Sequence, residues 1–361
     1  MHHLSNNPSL ANIEWQDLRQ LGVTETVYNV LLSLPFLLLS WWSAAQSFWL
    51  LALVSSFFFF MAALRQAHDC YHRTLGVSKV ATELMLFMLS ITMLCSTHAI
   101  RHTHLNHHRD PLGDSDVEGN WARLPWYQAI VGGGKFSIAI QWFGLTHESR
   151  RNRLLVVIDM VLISAVITTA FITMHPVLMY HVLVMLVANM LVGFFAVWSV
   201  HHGCDELVYA RSERHPLINL LTFNLLYHIE HHLFPAVPTN HLPELAKRLD
   251  TIAPEWTQQP VIPILASKTL RSIQTANDVI SKKITNDKGD NIIYINNHIA
   301  KNNANSQPTR IKLSANTNRV LAMNNSDILF KKPADHVSHV SHLSHEDSCP
   351  IRNALKRLGS A

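Results

Sequence analysis

The chain has 361 residues, 48% hydrophobic and only 15% charged, with 24 histidines. Average proteins are about 25% charged, so this balance points to a membrane protein before any motif is read. A formal net charge of +4 is too small to argue for a nucleic-acid partner.

Residues 1–26 are polar and lack a basic stretch running into an apolar one, so a cytoplasmic N-terminal segment is expected and a cleavable signal peptide is not. Four stretches are apolar enough for the roughly 20 residues that a crossing needs. They are Val27–Ala44, Ser47–Leu64, Leu154–Met174 and Val177–Val200. Short joints at Ala45-Gln46 and His175-Pro176 connect them as two hairpins. Arg65, Arg73, Arg101, Arg109, Arg123, Arg150, Arg151, Arg153, Arg211, Arg214, Lys247 and Arg248 all lie away from those joints. By the positive-inside rule the joints face outward and both termini are cytoplasmic.

A fifth apolar stretch, Ala81–Cys95, separates two histidine clusters. If it crossed the bilayer, the clusters would sit on opposite faces and could not share a site. It is therefore expected to lie in the interface, or to dip in and return. Trp121–Phe143, with Trp121, Trp126 and Trp142, is expected to be a second interfacial piece, because indoles favour the headgroup level.

Residues 27–250 thus form one membrane unit and 251–264 a connecting segment. From residue 265 to 361 Asn, Ser, Lys and Thr dominate without sustained apolar period, and a disordered polar tail is expected. Its His336, His339, His342 and His345 recur every third residue, which walks around a helix instead of holding one face. Cys70, Cys95, Cys204 and Cys349 form no CxxC pair and are read as reduced thiols.

Three further histidine clusters gather at the predicted cytoplasmic ends of apolar elements. HDCYH carries His68 and His72, HLNHH carries His104, His107 and His108, and YHIEHH carries His228, His231 and His232. His201 and His202 close the fourth span in WSVHHGCDE. On a helix, residues three and four apart are neighbours, so each cluster presents imidazoles to a common point. A lone HxxxH is an ordinary surface or core feature; three such clusters at one end are not. Neutral imidazole suits Fe, Zn, Cu or Ni, whereas Mg and Ca prefer oxygen. Eight clustered donors, with one more from the pair, exceed the needs of one ion and suit two.

With HxxxH, HxxHH and HxxHH in this order, and most closely in NLLYHIEHHLFPAVPTNHLPELAKRLD, the chain resembles the membrane fatty-acid desaturases, histidine-box di-iron enzymes. The resemblance implies an all-α integral membrane fold, four transmembrane helices as two hairpins with a cytoplasmic helical cap and interfacial helices. It implies two Fe ions held by His68, His72, His104, His107, His108, His228, His231 and His232. For a ninth ligand His202 is the first choice and His201 the reserve. O2 would be co-substrate, and the reaction a desaturation of a fatty acyl chain of a membrane lipid or other acyl substrate, on the cytoplasmic side.

Neighbouring residues take lesser roles. His98 and His102 flank the second box and are read as interfacial or supporting. Asp69, Asp110, Glu230 and Asp205 are candidates to accept the outer N–H of a ligand imidazole. Asn224, four before His228, is read mainly as helix packing, and Leu233-Phe234-Pro235 as a helix stop. GxGxxG is absent, and neither His175-Pro176 nor His215-Pro216 continues into the Gly-Gly of a fused cytochrome. Electrons are therefore expected from a separate ferredoxin or cytochrome. Two alternatives remain: hydroxylation or ketolation of a lipid or carotenoid on the same scaffold, and metal transport. Transporters place ligands near the midplane, whereas these spans hold only Asp159 and His181 as ionisable residues.

Overall fold

The computed structural model describes residues 8–204, 209–256 and 259–262, together with 292–294 and 310–312. The chain divides into two units, residues 1–266 with 349–361, and residues 267–348. In the second, Ile292–Tyr294 pairs antiparallel with Arg310–Lys312, Ile293 opposite Ile311. The rest of the polar tail, with its histidine tract and Cys349, lies outside the described residues.

The described part of the first unit is helical. A turn, α1 (Pro8–Ala11), and a 3-10 turn (Gln16–Arg19) precede α2 (Val23–Leu31) and α3 (Leu34–Ala45). Next come α4 (Trp49–His72), α5 (Lys79–Met93) and α6 (Thr97–Arg109). Three shorter pieces follow: α7 (Gly119–Ala122), α8 (Trp126–Val131) and α9 (Gly133–Thr146). The long α10 (Arg150–Thr173) leads to α11 (Pro176–Val192), which runs through a π-helical turn (Gly193–Trp198) into α12 (Ser199–His201). Three helices close the unit: α13 (Pro216–Leu221), α14 (His228–Leu233) and α15 (Leu242–Ile252).

Four helices are long and apolar enough to cross a membrane: Val23–Ala45, Trp49–His72, Arg150–Thr173 and Pro176–His201. Their outer faces are apolar and uncovered, Leu50 and Ile172 being more than three-quarters exposed. Such a continuous belt suits lipid and would be costly in water. Where Ser47–Leu64 was expected to cross, the helix starts at Trp49 and runs unbroken to His72, because Arg65, Gln66 and Asp69 find partners that let it continue. Arg65 donates to Asn29 Oδ1 (2.7 Å), and Gln66 Nε2 to the carbonyls of Asn29 and Val30 (2.7 and 2.8 Å). The first histidine box is therefore carried on the last turn of a span.

The stretch Ala81–Cys95 forms most of α5, and the chain bends by 110° between α5 and α6. Leu94, at φ 55°, ends α5, and Ser96 caps α6 by accepting from Ala99 N (3.1 Å). One carboxylate on α10 ties this corner down. Asp159 accepts from Ser96 Oγ (2.6 Å) and pairs with His98 Nδ1 (2.8 Å). Glu83 on α5 then reaches both His98 Nε2 (3.1 Å) and Arg101 (2.8 Å). Such a bent pair has the geometry of a broken span or a re-entrant loop. His72, just before the pair, and His104, on its second helix, meet at 3.1 Å between Nε2 atoms.

The Trp121–Phe143 stretch is broken into α7, α8 and α9. Trp126 and Trp142 are exposed, whereas Trp121 is turned in and donates to the Ala129 carbonyl (3.1 Å). Helix α9 is wedged between α6 and α11, where glycines permit close approach. A Cβ on Gly133 would lie 1.5 Å from the Met190 carbonyl oxygen, and one on Gly144 2.6 Å from Ala99 Cβ. A second core closes the end of the bundle that bears the histidines, here called the cap. In it Leu10 and Ile13 pack with Ile229, Leu233, Phe234 and Leu245, so the N-terminal segment is part of the cap.

Gly133→Ala is expected to destabilise the protein by about 2 kcal/mol or more through overpacking. Gly134→Ala, whose Cβ would meet nothing within 4 Å, should be neutral or slightly stabilising. Thermal unfolding of both variants in detergent checks the contrast.

Candidate metal centre

Four helix ends supply the histidines. His68 and His72 lie one turn apart at the end of α4, His104, His107 and His108 on the last two turns of α6, His201 at the end of α12, and His228, His231 and His232 on α14. They assemble into two groups. One nitrogen from each of His68, His72, His104, His108 and His231 forms the first, and one from each of His107, His201, His228 and His232 the second. Within a group all these atoms lie within 4.8 Å of one another.

The HxxHH clusters do not point to one place each, as the spacing alone suggested. Residues i and i+4 differ by only about 40° around a helix, while i+3 lies about 100° from i+4. His104 and His108 therefore turn together toward the first group and His107 toward the second. On α14 the sharing is reversed: His228 and His232 serve the second group and His231 the first. Each HxxHH thus straddles two centres.

The spacing fits an ion at each. Two nitrogens held roughly 2.1 Å from one ion at cis angles lie about 3.0–3.4 Å apart. In the second group, Nε2 atoms close a ring: His107–His201 3.1 Å, His201–His228 2.8 Å, His228–His232 3.1 Å and His232–His107 3.3 Å. In the first, His104 Nε2 stands 3.1 Å from those of His72 and His108, and His231 Nε2 2.8 Å from that of His108.

Outer contacts decide which nitrogen carries the proton. His201 Nδ1 lies 2.6 Å from the Tyr209 carbonyl oxygen and must donate to it, leaving the Nε2 lone pair facing the ring. His107 Nδ1 lies 2.5 Å from Asp116 Oδ2, and His104 Nδ1 3.3 Å from Glu118 Oε2. Burial opposes a proton on His107 and the bond to Asp116 more than offsets this, raising its pKa, while the other rings of the second group face each other with bare lone pairs about 3 Å apart. A cation resolves that repulsion, and these oxygen partners orient and enrich the donors.

Of the four acids suggested for this outer role, none described is in contact with a ligand imidazole. Asp69 accepts from Thr239 N and Oγ1 (3.2 and 2.6 Å) and from Thr74 Oγ1 (3.1 Å), tying α4 to the cap. Glu230 is fully buried and is held by Ser212 Oγ (2.5 Å) and by Arg214, which also binds Asp250 (2.8 Å). Asp110 is exposed, and Asp205 lies outside the described residues. The acids that do the work, Asp116 and Glu118, come from the acidic loop DSDVEG just after the second box, a signal the sequence contained.

His202, the first choice for a ninth donor, belongs to neither group. Its ring stacks on Trp198 (4.2 Å between centroids), and its Nδ1 is 2.8 Å from the Ala122 carbonyl oxygen. His201 takes the place instead. His98 is bound between Asp159 and Glu83, and His102 pairs with Glu148 at 2.5 Å. Asn224 sits in a turn at φ 65° before α14 begins, so it does not share a helical face with His228.

A cavity of about 860 Å3 reaches these groups from the bundle. Leu53, Phe57, Met61 and Leu64 on α4 line one side, and Val184 and Ala188 on α11 another. His68, His104 and His228 stand at its cap end, so it touches both groups. From Leu53 to His68 it follows α4 for about 22 Å.

Burial, and then the neighbouring imidazoles, hold His228, His231 and His232 well below the ordinary histidine range. In the unfolded chain each takes up a proton near pH 6.5 (about 6.5 is the free value). Below that pH the unfolded state binds more protons than the folded one, so acidification destabilises the metal-free fold. Chelator-treated protein should lose thermal stability progressively from about pH 6.5 downward; a flat profile would contradict buried neutral imidazoles. Burial raises the Asp116 carboxyl, and the hydrogen bond and charge of His107 more than offset this, keeping it ionised. Asp116→Asn is expected to weaken metal binding by about 10–100-fold in a chelator competition.

A comparison with curated proteins gave no match. The family model for fatty acid desaturase matches residues 40–261, more than half of the chain. That stretch holds the four helix ends, all nine grouped histidines and the cavity between α4 and α11. The histidine groups, the apolar helices and this match agree: the chain belongs to the fatty acid desaturase family.

Proposed function

We propose that the protein is an O2-dependent di-iron desaturase that introduces a double bond into a fatty acyl chain. The observation that carries this reading is the cavity: an apolar shaft inside the bundle ends on imidazoles of both metal-competent groups. Iron bound there would supply the oxidising power needed to remove hydrogen from an unactivated C–H bond, which no side chain can do. His68, His72, His104, His108 and His231 would hold one ion, and His107, His201, His228 and His232 the other. Phe57, Met61 and Leu64 would keep the shaft dry and the chain extended against the centre, limiting side reactions with water. Asp116, Glu118 and the Tyr209 carbonyl keep the donor tautomers fixed.

The distribution of basic residues supports a cytoplasmic site, with both termini on that side. Electrons would come from a separate ferredoxin or cytochrome. Metal transport is disfavoured by the state of Asp159 and His181, which lie away from the histidine-bearing helix ends. Asp159 is engaged by Ser96 and His98, and His181 by Trp41 Nε1 (3.1 Å) and the Thr92 carbonyl (2.9 Å), so neither offers a waiting ligand.

Purified protein should contain two irons per chain. His201→Ala should lose at least one of them, and His202→Ala should keep both. Stoichiometric zinc without iron, or loss of metal in His202→Ala alone, would overturn the assignment. Mass analysis of lipids from cells expressing the protein with a competent donor should show acyl chains lacking two hydrogens. Gain of one oxygen would instead mark a hydroxylase on the same scaffold.

A further inference from the structure

Beyond the grouped histidines, the cavity wall carries two charged residues among those described, Glu118 and Arg211. Glu118 is already bound by Thr103 Oγ1 (2.6 Å) and lies against His104. Arg211 is different. Its Nε and Nη2 donate to the His202 carbonyl (2.8 and 2.5 Å), and its Nη1 donates to the Pro260 carbonyl (3.3 Å). Carbonyls fix the guanidinium in place but bring no opposite charge, and no carboxylate among the described residues pairs with it. A guanidinium has five N–H donors. Three are used, so Nη1 and Nη2 each keep one for a further acceptor, and a charge-assisted bond to a carboxylate or phosphate is the strong kind.

Its place in the cavity gives this charge a meaning. Leu53 lies near the start of α4, and His68 on its last turn, so the apolar shaft runs away from the cap. Arg211 lies beside the imidazoles at the cap. Its backbone N–H donates to the Val200 carbonyl (2.8 Å), and its carbonyl accepts from Ile229 N (3.2 Å), which sets it among the segments that carry His201 and His228. Gly203, at φ 70°, makes room for it, since a Cβ there would stand 3.1 Å from Nη2. The cavity therefore holds a fixed positive charge beside the metal-competent groups, and an uncharged shaft leads away from both along α4.

We propose that Arg211 binds the anionic end of the lipid substrate, so that the chain lies tail-inward past the histidines. This rests on the acyl-desaturase reading and narrows it. The substrate is an amphiphile with a carboxylate or phosphate head, and a carotenoid hydrocarbon, which has no such end, is excluded. The shared chemistry is an oxyanion in the head group of a molecule with a long alkyl tail. A free fatty acid carries it on the tail itself, a phospholipid across the glycerol, and an acyl thioester of coenzyme A beyond its pantetheine arm.

The test measures binding, not turnover, on the full-length metal-loaded protein in neutral detergent. Dissociation constants for stearate, stearoyl-coenzyme A, stearoyl lysophosphatidate and stearyl alcohol are obtained by displacement of a fluorescent fatty acid. Wild type should bind at least one of the anions about tenfold more tightly than the alcohol, the tightest naming the source of the head group. Arg211→Gln should abolish that preference while leaving the alcohol unchanged, and Arg211→Lys should retain part of it. Equal binding of alcohol and all anions by wild type overturns the proposal without any variant. So does an Arg211→Gln protein that weakens alcohol and anions by the same factor. Lipid products formed without any head-charge preference would sink this inference and leave the desaturase reading standing; selective binding without product would do the reverse.

Discussion

Asp159 is a carboxylate buried on a helix whose other faces meet mostly apolar surroundings, and the corner between α5 and α6 is built around it. A bare carboxylate there would be very costly. Ser96 and His98 satisfy it, and in doing so they hold the chain at the point where it bends by 110°. Everything at the cap depends on that bend. Without it His68 and His72 would be separated from His104, His107 and His108 by an extended apolar helix, and the nine nitrogens would never converge.

Convergence brings a second constraint. Burial holds His108, His228, His231 and His232 neutral, so something must answer their facing lone pairs. The cap is accordingly tethered on two sides. Asp69, inside the first box, holds the Thr239 turn onto α4. Glu230, inside the third box, is clamped by Ser212 and Arg214, and Arg214 in turn reaches Asp250 on α15. Burial works against the Arg214 charge, and the two carboxylates outweigh it and hold the guanidinium protonated. Removing one partner of such a clamp leaves an uncompensated buried charge. Both acids thus serve the centre by placing whole helices, at a distance from the imidazoles themselves.

The same geometry explains how one chain serves a lipid. The outer faces of the four long helices are apolar and exposed, while α4 and α11 part enough to leave an apolar shaft between them. The shaft's polar end coincides with the histidines because the helices that line it are the ones that end in them. The cavity and the meeting of the histidines are consequences of a single packing arrangement.

Much of this was legible in the chain itself. Apolar length marks the four helices able to cross a membrane, since a bilayer demands about 20 residues whatever the partners. The i, i+3, i+4 spacing gathers imidazoles on helix ends, and the expected return of Ala81–Cys95 corresponds to a bend of 110° that fits either a broken span or a re-entrant loop. Local rules suffice for these because they concern one helix, or one helix and its solvent. Other features needed several elements at once. Whether His201 or His202 faces inward depends on the π-helical turn Gly193–Trp198, which shifts the register just before them and which no 3.6-residue period anticipates. Which acids support the ligands depends on how the loop after α6 folds back, so Asp116 and Glu118 take the place offered to Asp69 and Glu230. The division of each HxxHH between two centres follows from how α6 and α14 face each other. Sequence by itself determined that imidazoles would cluster at one end of a membrane bundle. Tertiary packing decided which atoms meet, because a helix sets only the angles between its own side chains and not the direction in which its neighbours look.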